Sequence, residues 1–157
     1  MSRTLTCLAL GFVVLLGASA APGSRATASE RSWPGTYPMR LGDREISVEI
    51  ANTDEERVRG LSGRRDLPAG SGLLFVFPNE ATYGFWMKEM NFSIDILWIS
   101  AGLKVIHIVE DVAPETYPKV FRPAQPARYV LELQAMGARK LGIKVGTPVT
   151  LPAVLTP

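Results

Sequence analysis

Short apolar segments that end at turn-forming residues constrain the fold of this chain more than any other sequence feature. Residues 72–77 are uninterruptedly apolar and are followed by Pro78 and Asn79, a pattern typical of a strand buried on both faces. After a Gly-Asp turn at 42–43, apolar residues occupy alternate positions from 46 to 50, which predicts a β-hairpin over residues 39–50. These segments favour a fold built mainly from strands.

The remaining elements are equally short. Further strands are predicted at residues 82–88, 94–99, 103–110, 128–133 and 148–151. Thr53 and Glu56 have the spacing of a capping box, and Gly60 ends the short helix that follows. A second short helix is predicted over residues 135–141, and the four prolines within residues 114–126 indicate a long surface loop. We therefore predict a β-rich α+β domain of about seven short strands and two short helices, arranged as a closed or nearly closed barrel.

The N-terminal segment has the pattern of an export signal. Arg3 supplies a positive charge, residues 8–16 form an uncharged apolar run, and residues 18–20 read Ala-Ser-Ala, which predicts a cleaved signal peptide over residues 1–20 with cleavage after Ala20. Small residues and proline dominate residues 21–38, which predicts a disordered tether. A single domain over residues 39–152 and a tail over residues 153–157 complete the predicted organisation. The predicted location is periplasmic or secreted.

Composition excludes several classes of site. The only cysteine, Cys7, lies in the predicted signal, so the mature chain is predicted to have no disulfide, no thiolate nucleophile and no cysteine-bearing metal site. The only histidine is His107, and no glycine-rich phosphate loop or dinucleotide motif occurs, so we expect neither a metal nor a cofactor. Basic and acidic side chains number 17 and 15, which argues against a nucleic-acid partner. No later segment is apolar enough to predict stable membrane insertion after cleavage.

Charged side chains within apolar segments are the main candidates for function. Asp95 lies between two isoleucines, and Lys88 follows three large hydrophobic residues; such charges are costly unless they are paired or line a cavity. The predicted binding residues are Arg57, Arg64, Trp86, Lys88 and Asp95. An arginine of this group could bind a carboxylate or phosphate, with Lys88 adding a point charge. Alternatively, the charged members could form a structural network of ion pairs.

Two further polar residues are weaker candidates. His107 alternates with valines in an apolar strand, where a single histidine is more often structural than catalytic. Glu132 lies in the apolar segment 130–133, a context that resembles that of Asp95, and two such carboxylates could form a glycosidase-like pair. The aromatic residues concentrated between 75 and 98 predict either a core or a stacking platform for a sugar or peptide.

Several motifs occur in a distinctive order along the chain. They are ERVRGLSGR at 56–64, GLLFVF at 72–77, FWMK at 85–88, IDI at 94–96 and VLEL at 130–133, followed by Gly142 and Gly146. In this combination the chain resembles the uncharacterised family called domain of unknown function 192, over roughly residues 39–151. The resemblance implies a small, mostly β domain that is often exported, and it implies no established reaction.

Three functional hypotheses follow. The first is a non-catalytic ligand-binding or accessory module with a basic and aromatic site, whose partner is an unknown small molecule or protein. The second is a hydrolase or lyase that uses Asp95 or Glu132 with Lys88 or His107. The third is a purely structural domain. The sequence leaves open whether the protein is an enzyme.

Overall fold

The computed structural model describes residues 35–156. The predicted signal peptide and residues 21–34 of the predicted tether lie outside the described residues, as does Pro157. The strands are β1 (Tyr37–Leu41), β2 (Arg44–Ala51), β3 (Ser71–Ala81), β4 (Ile94–Ile99), β5 (Val105–Val112), β6 (Ala127–Gln134) and β7 (Val149–Thr150). The helices are α1 (Asp54–Arg59) and α2 (Gly137–Lys140), with short 3-10 turns at Pro114–Thr116 and Ala153–Leu155.

The seven strands form one sheet in the order β5-β4-β6-β3-β2-β1-β7. Neighbouring strands are antiparallel except β2 and β3, which are parallel and are joined through α1. The sheet curls into a half-barrel, and backbone hydrogen bonds link the start of β5 to the segment before β7. Val105 N–H donates to the Thr147 carbonyl at 3.0 Å, and Gly146 N–H donates to the Val105 carbonyl at 2.7 Å. These features confirm the predicted β-rich, barrel-like class.

Apolar side chains pack on both faces of the sheet. One cluster takes residues from all seven strands, including Met39, Leu74 and Leu131, and therefore fills the inside of the curl. The second cluster contains Phe75 and Trp98 from the other face, covered by residues of the connecting segments. Because strand side chains alternate between faces, β3 and β6 contribute to both clusters. We call the second face the outer face.

Helix α1 forms where its local sequence predicts it. The Thr53 hydroxyl accepts the Glu56 N–H at 3.2 Å, and the Glu56 carboxylate accepts the Thr53 N–H at 3.0 Å, which confirms the capping box. Gly60 ends the helix with a positive φ of 50°, a conformation that favours glycine. A Cβ atom at Gly60 would lie 3.4 Å from the Phe75 ring, so the helix ends directly over the outer face.

Two sequence predictions about strands are wrong. Residues 82–88 do not form a strand: only Phe85 makes a ladder contact, an isolated bridge to Phe121, and the chain then turns at Glu89, whose φ is 57°. The apolar side chains of this segment instead pack as a loop against the outer face, with Met87 fully buried there. Strand β3 continues past Pro78 to Ala81, with a register shift against β6 that accommodates the proline.

Candidate functional site

A pocket of about 310 Å³ opens on the outer face, between α1, the end of β3 and the segment that follows β3. Its aromatic lining residues are Phe75, Phe77, Tyr83, Phe85 and Trp86, and its charged or titratable lining residues from α1 and β6 are Asp54, Arg57, Arg59 and Glu132. Aromatic walls with a few polar groups are typical of small-molecule sites.

The aromatic rings hold one another in place. Phe75 and Phe85 meet edge to face, with ring centroids 4.8 Å apart, and Phe77 stacks on Tyr83. The Tyr83 hydroxyl donates to the Asn79 carbonyl at 2.8 Å. These contacts connect the segment after β3 to the sheet, so the walls of the pocket are fixed by packing.

Glu132 lies at the base of the pocket. In the register of the sheet its neighbours are Leu73 of β3 and Ile96 of β4, and only 5% of the residue is exposed. Its Oε2 atom is buried and has no hydrogen-bond partner among residues 35–156. Burial raises the pKa of Glu132 to about 8, although the positive charge of Arg64 acts in the opposite direction. This rise in pKa favours the neutral carboxylic acid at pH 7.

Arg64 lies beside Glu132 and is bound to a second carboxylate. Its guanidinium donates to both oxygens of Glu49, at 2.6 and 3.0 Å, in the bidentate geometry that arginine favours. Glu49 and Glu132 both lie opposite Leu73 in the sheet register, so the two acids flank the same leucine on the outer face. Arg64 thus neutralises Glu49, and its positive charge also partly offsets the rise in the pKa of Glu132 that burial causes.

Arg57 has a structural role at the wall of the pocket. It donates to the Asn52 carbonyl at 2.6 Å and to the Val76 carbonyl at 2.8 Å, and it pairs with Asp54. Its guanidinium also lies 5.4 Å from the centre of the Phe77 ring. These contacts tie α1 to the end of β3, and they leave Arg57 engaged within the protein.

Trp86 and Lys88 lie in different surroundings, although they are only two residues apart in the sequence. Trp86 lines the pocket, is 50% exposed and lies with its ring 5.7 Å from that of Tyr117. Lys88 does not line the pocket; its half-exposed ammonium lies 4.0 Å from the Glu89 carboxylate. Of the five predicted binding residues, the pocket therefore brings together Arg57 and Trp86, with Arg64 beside its base.

Asp95 lies on the opposite face from the pocket. It pairs with Leu133 in the register between β4 and β6, whereas Glu132 pairs with Ile96, so the two carboxylates point away from each other across the sheet. Asp95 is fully buried, and its oxygens accept the N–H groups of Asp111, Met136 and Ala138 at 2.8, 3.0 and 2.9 Å. The glycosidase-like pair is not formed, because the two carboxylates lie on opposite faces of the sheet. The single network of Asp95 with Arg57, Arg64 and Lys88 is not formed either, because each of these four charges has other partners.

His107 is placed away from Glu132. It lies on edge strand β5 opposite Trp98, with ring centroids 5.3 Å apart. Neither His107 nor Lys88 lines the pocket that contains Glu132. The sequence reasoning named Glu132 only as a weaker candidate and did not single out Phe77, Tyr83 or Tyr117 as site residues. The clustering of aromatic residues between 75 and 98 was the signal for the pocket walls.

Residues 35–156 contain no group of three or more His, Cys, Asp or Glu side chains that could hold a metal ion. Within the same range, no helix has the length and apolar character needed to cross a membrane.

Solved structures that are similar to this one include the following two proteins. The first, a protein of Sinorhizobium meliloti that carries the provisional name of a transcription regulator, is 27% identical, with a TM-score of 0.70 over 74% of this chain and 93% of that chain. The second, a protein of unknown function from Novosphingobium aromaticivorans, is 24% identical, with a TM-score of 0.71 over 90% of this chain and 100% of that chain. The second likeness shows the fold alone.

No curated protein matches the sequence significantly. The profile of a family described as Uncharacterized ACR, domain of unknown function 192, matches residues 38–151. This match spans more than two thirds of the chain and all seven strands, and it agrees with the resemblance found in the sequence motifs. The chain therefore belongs to the domain of unknown function 192 family.

Proposed function

We propose that this protein is a non-catalytic binding module for a small molecule and that its site is the outer-face pocket. The observation that carries the proposal is the buried Oε2 atom of Glu132, which lacks a hydrogen-bond partner in the described chain and lies at the base of an aromatic-lined pocket. A buried polar atom without a partner costs about 1–3 kcal/mol. A ligand that supplies the partner recovers this free energy on binding.

The arrangement of titratable groups supports binding rather than catalysis. General acid–base chemistry needs a second group within hydrogen-bond reach, directly or through one water. Asp95 is on the opposite face, and His107 and Lys88 lie outside the lining of the pocket. The arginines near the pocket have carboxylate or carbonyl partners within the protein, and the hydrolase and lyase hypothesis therefore gains no support from the geometry.

The proposed setting is the periplasm or the exterior of the cell, on the basis of the signal-like residues 1–20. One structural neighbour carries the name of a transcription regulator. The nearly balanced charge of this chain supports a small-molecule ligand over nucleic acid, because nucleic-acid affinity depends on clustered basic residues.

A fragment screen monitored by two-dimensional NMR tests the proposal. We expect the pocket to bind some aromatic fragments more tightly than others, according to their charge. Bound fragments should cause concentration-dependent chemical-shift changes at Trp86 and Phe85. A fragment at ten times its Kd should also stabilise the protein by about 1.4 kcal/mol. Lys88→Gln is the matched control, because Lys88 is half-exposed and does not line the pocket. If no fragment shifts the pocket resonances, the proposed function is wrong.

A further inference from the structure

We propose that the pocket recognises an uncharged ligand with a ring-shaped apolar body and a carbonyl-type hydrogen-bond acceptor, to which the Glu132 carboxylic acid donates. This inference rests on the binding role proposed above and names the ligand class of the same site.

The floor of the pocket favours a short contact with an uncharged group. Glu132 lies between Leu73 and Ile96, so its immediate neighbours in the sheet are aliphatic. Its Oε2 atom has neither solvent exposure nor a hydrogen-bond partner within residues 35–156. Because Oε2 is covered by surrounding atoms, a ligand carbonyl oxygen accepts the acid proton after a small rotation of the Glu132 side chain toward the pocket, and the hydrogen bond then forms in a water-poor environment where it is strong.

The charged groups around Glu132 already have partners of their own. The pocket itself is lined by Asp54, Arg57 and Arg59 of α1 and by Tyr83 from the segment after β3. An adjacent depression, which shares Arg59 and Gly60 with the pocket, is lined by Glu49, Glu56 and Arg64. Arg64 binds Glu49 through two hydrogen bonds, Arg57 pairs with Asp54, and Arg59 lies 3.9 Å from Glu55. An anionic ligand would therefore compete with carboxylates that already offset the charge of these arginines.

A cationic ligand is disfavoured by the same arrangement. The carboxylate of Asp54, which lines the pocket, is already paired with Arg57. An aromatic ring can attract a cation. The Phe77 ring, however, already stacks on Tyr83 and is in cation–π contact with the guanidinium of Arg57. Burial also holds the pKa of Glu132 at about 8, so the acid is uncharged at neutral pH. These contacts leave a neutral acceptor as the complementary group.

The apolar body is matched by the walls and the rim. Phe75, Phe85 and Trp86 line the pocket, and Tyr117 lies next to Trp86 at the half-exposed rim. A flat ring is the shape that aromatic walls contact most extensively.

Three probes of nearly the same shape test which ligand charge the pocket prefers: benzamide is neutral, benzamidine is a cation and benzoate is an anion. Their binding to the full-length protein is measured by NMR titration at pH 6.5 and pH 9.5. We expect benzamide to bind most tightly of the three at pH 6.5. Its affinity should fall by about tenfold or more at pH 9.5, because Glu132 then loses the proton that it donates.

Two substitutions of Glu132 and one control complete the design. Glu132→Gln keeps a neutral donor, so it should bind benzamide at both pH values with little change between them. Glu132→Leu removes the donor and should lose most of the affinity, and Lys88→Gln should match the unmodified protein. Two-dimensional spectra of each variant establish that it is folded.

The outcomes distinguish the ligand class from the binding function itself. Tightest binding by benzamidine, with affinity that rises with pH, would overturn the neutral-acceptor inference and leave the binding function in place. Tightest binding by benzoate would do the same. It is also possible to find that none of the three probes binds while other fragments occupy the pocket. In that case, binding by uncharged fragments with a hydrogen-bond acceptor supports the inference, and binding by charged fragments alone overturns it. If nothing binds the pocket, the proposed function fails as well.

Discussion

Asp95 and Glu132 are the two buried acids of the described domain, and they differ in what surrounds them. Both lie on central strands among apolar residues, on adjacent strands β4 and β6. Asp95 accepts three backbone N–H groups on the inner face, whereas the Oε2 atom of Glu132 has no partner within residues 35–156. Similar apolar neighbours along the chain therefore surround a structural carboxylate, Asp95, on one face and a candidate ligand-binding carboxyl, Glu132, on the other.

The Asp95 site shows what a satisfied buried carboxylate does. Its three donors come from the end of β5 and from the turn that begins α2, where Met136 has a φ of 64°. These segments lie 16 to 43 residues away in the sequence, so one carboxylate connects distant parts of the chain. The Glu132 site has an open pocket in place of such donors.

Among the substitutions, the largest expected effect is the loss of stability on Asp95→Asn. The amide places an N–H₂ group against at least one of the backbone donors, so we expect the free energy of unfolding to fall by about 3 kcal/mol. For a domain of this size the Tm should fall by roughly 10 °C. Glu132→Gln is the matched control, because it makes the same acid-to-amide change at a buried side chain whose Oε2 atom has no partner within residues 35–156. Equal losses for the two variants would contradict the distinction between the sites.

The second effect is a pH dependence that belongs to Glu132. In the unfolded chain its carboxyl ionises near 4.5, whereas in the folded protein its pKa is raised to about 8 by burial. Between these values the folded state binds the extra proton, so stability falls as the pH rises from about 5 to about 8 and changes no further above that range. The slope attributable to this group is at most about 1.4 kcal/mol per pH unit.

Chemical denaturation of the unmodified protein and of Glu132→Gln across this range isolates that slope. Subtracting the two curves removes contributions from other carboxyls, such as Glu56, whose pKa is lowered by hydrogen bonds from Thr53 and Asn52. Parallel curves would show that Glu132 is not protonated in the folded protein.

The smallest effect is a gain of stability on Glu132→Leu. Leucine removes a buried polar group that has no partner and keeps apolar contacts with Leu73 and Ile96. We expect the ligand-free protein to become more stable by about 1 kcal/mol at pH 4, where Glu132 is protonated in the folded protein and largely protonated in the unfolded chain, while binding of neutral fragments is lost. A loss of several kcal/mol, like that expected at Asp95, would mean that Glu132 has an essential structural partner.

Local signals in the sequence predicted much of the fold. The capping box of Thr53 and Glu56 and the apolar run at 72–77 depend on residues close together in the chain. Both formed, although strand β3 continues past the predicted end at Pro78 to Ala81. The segment 82–88 was predicted wrongly because its aromatic residues resemble a strand, yet they cover the outer face as a loop. Local composition does not distinguish these two uses of apolar residues.

The site was less predictable, because the roles of its acids depend on register and on distant partners. Asp95 and Glu132 have the same apolar neighbours along the chain, and only the pairing of β4 with β6 places them on opposite faces. The donors to Asp95 from residues 136 and 138 lie more than 40 positions away. Arg57 and Trp86 were predicted at the site, whereas the central place of Glu132 required the folded structure.

The most direct test of this account is the titration of the Glu132 side-chain carboxyl by ¹³C NMR in the ligand-free protein. The account predicts a midpoint near 8, because the buried acid lies among apolar side chains and lacks a partner for Oε2 in the described domain. A midpoint near 4.5, the ordinary value for glutamate, would show that the group is solvated or paired, and it would contradict the assignment of Glu132 as a neutral hydrogen-bond donor.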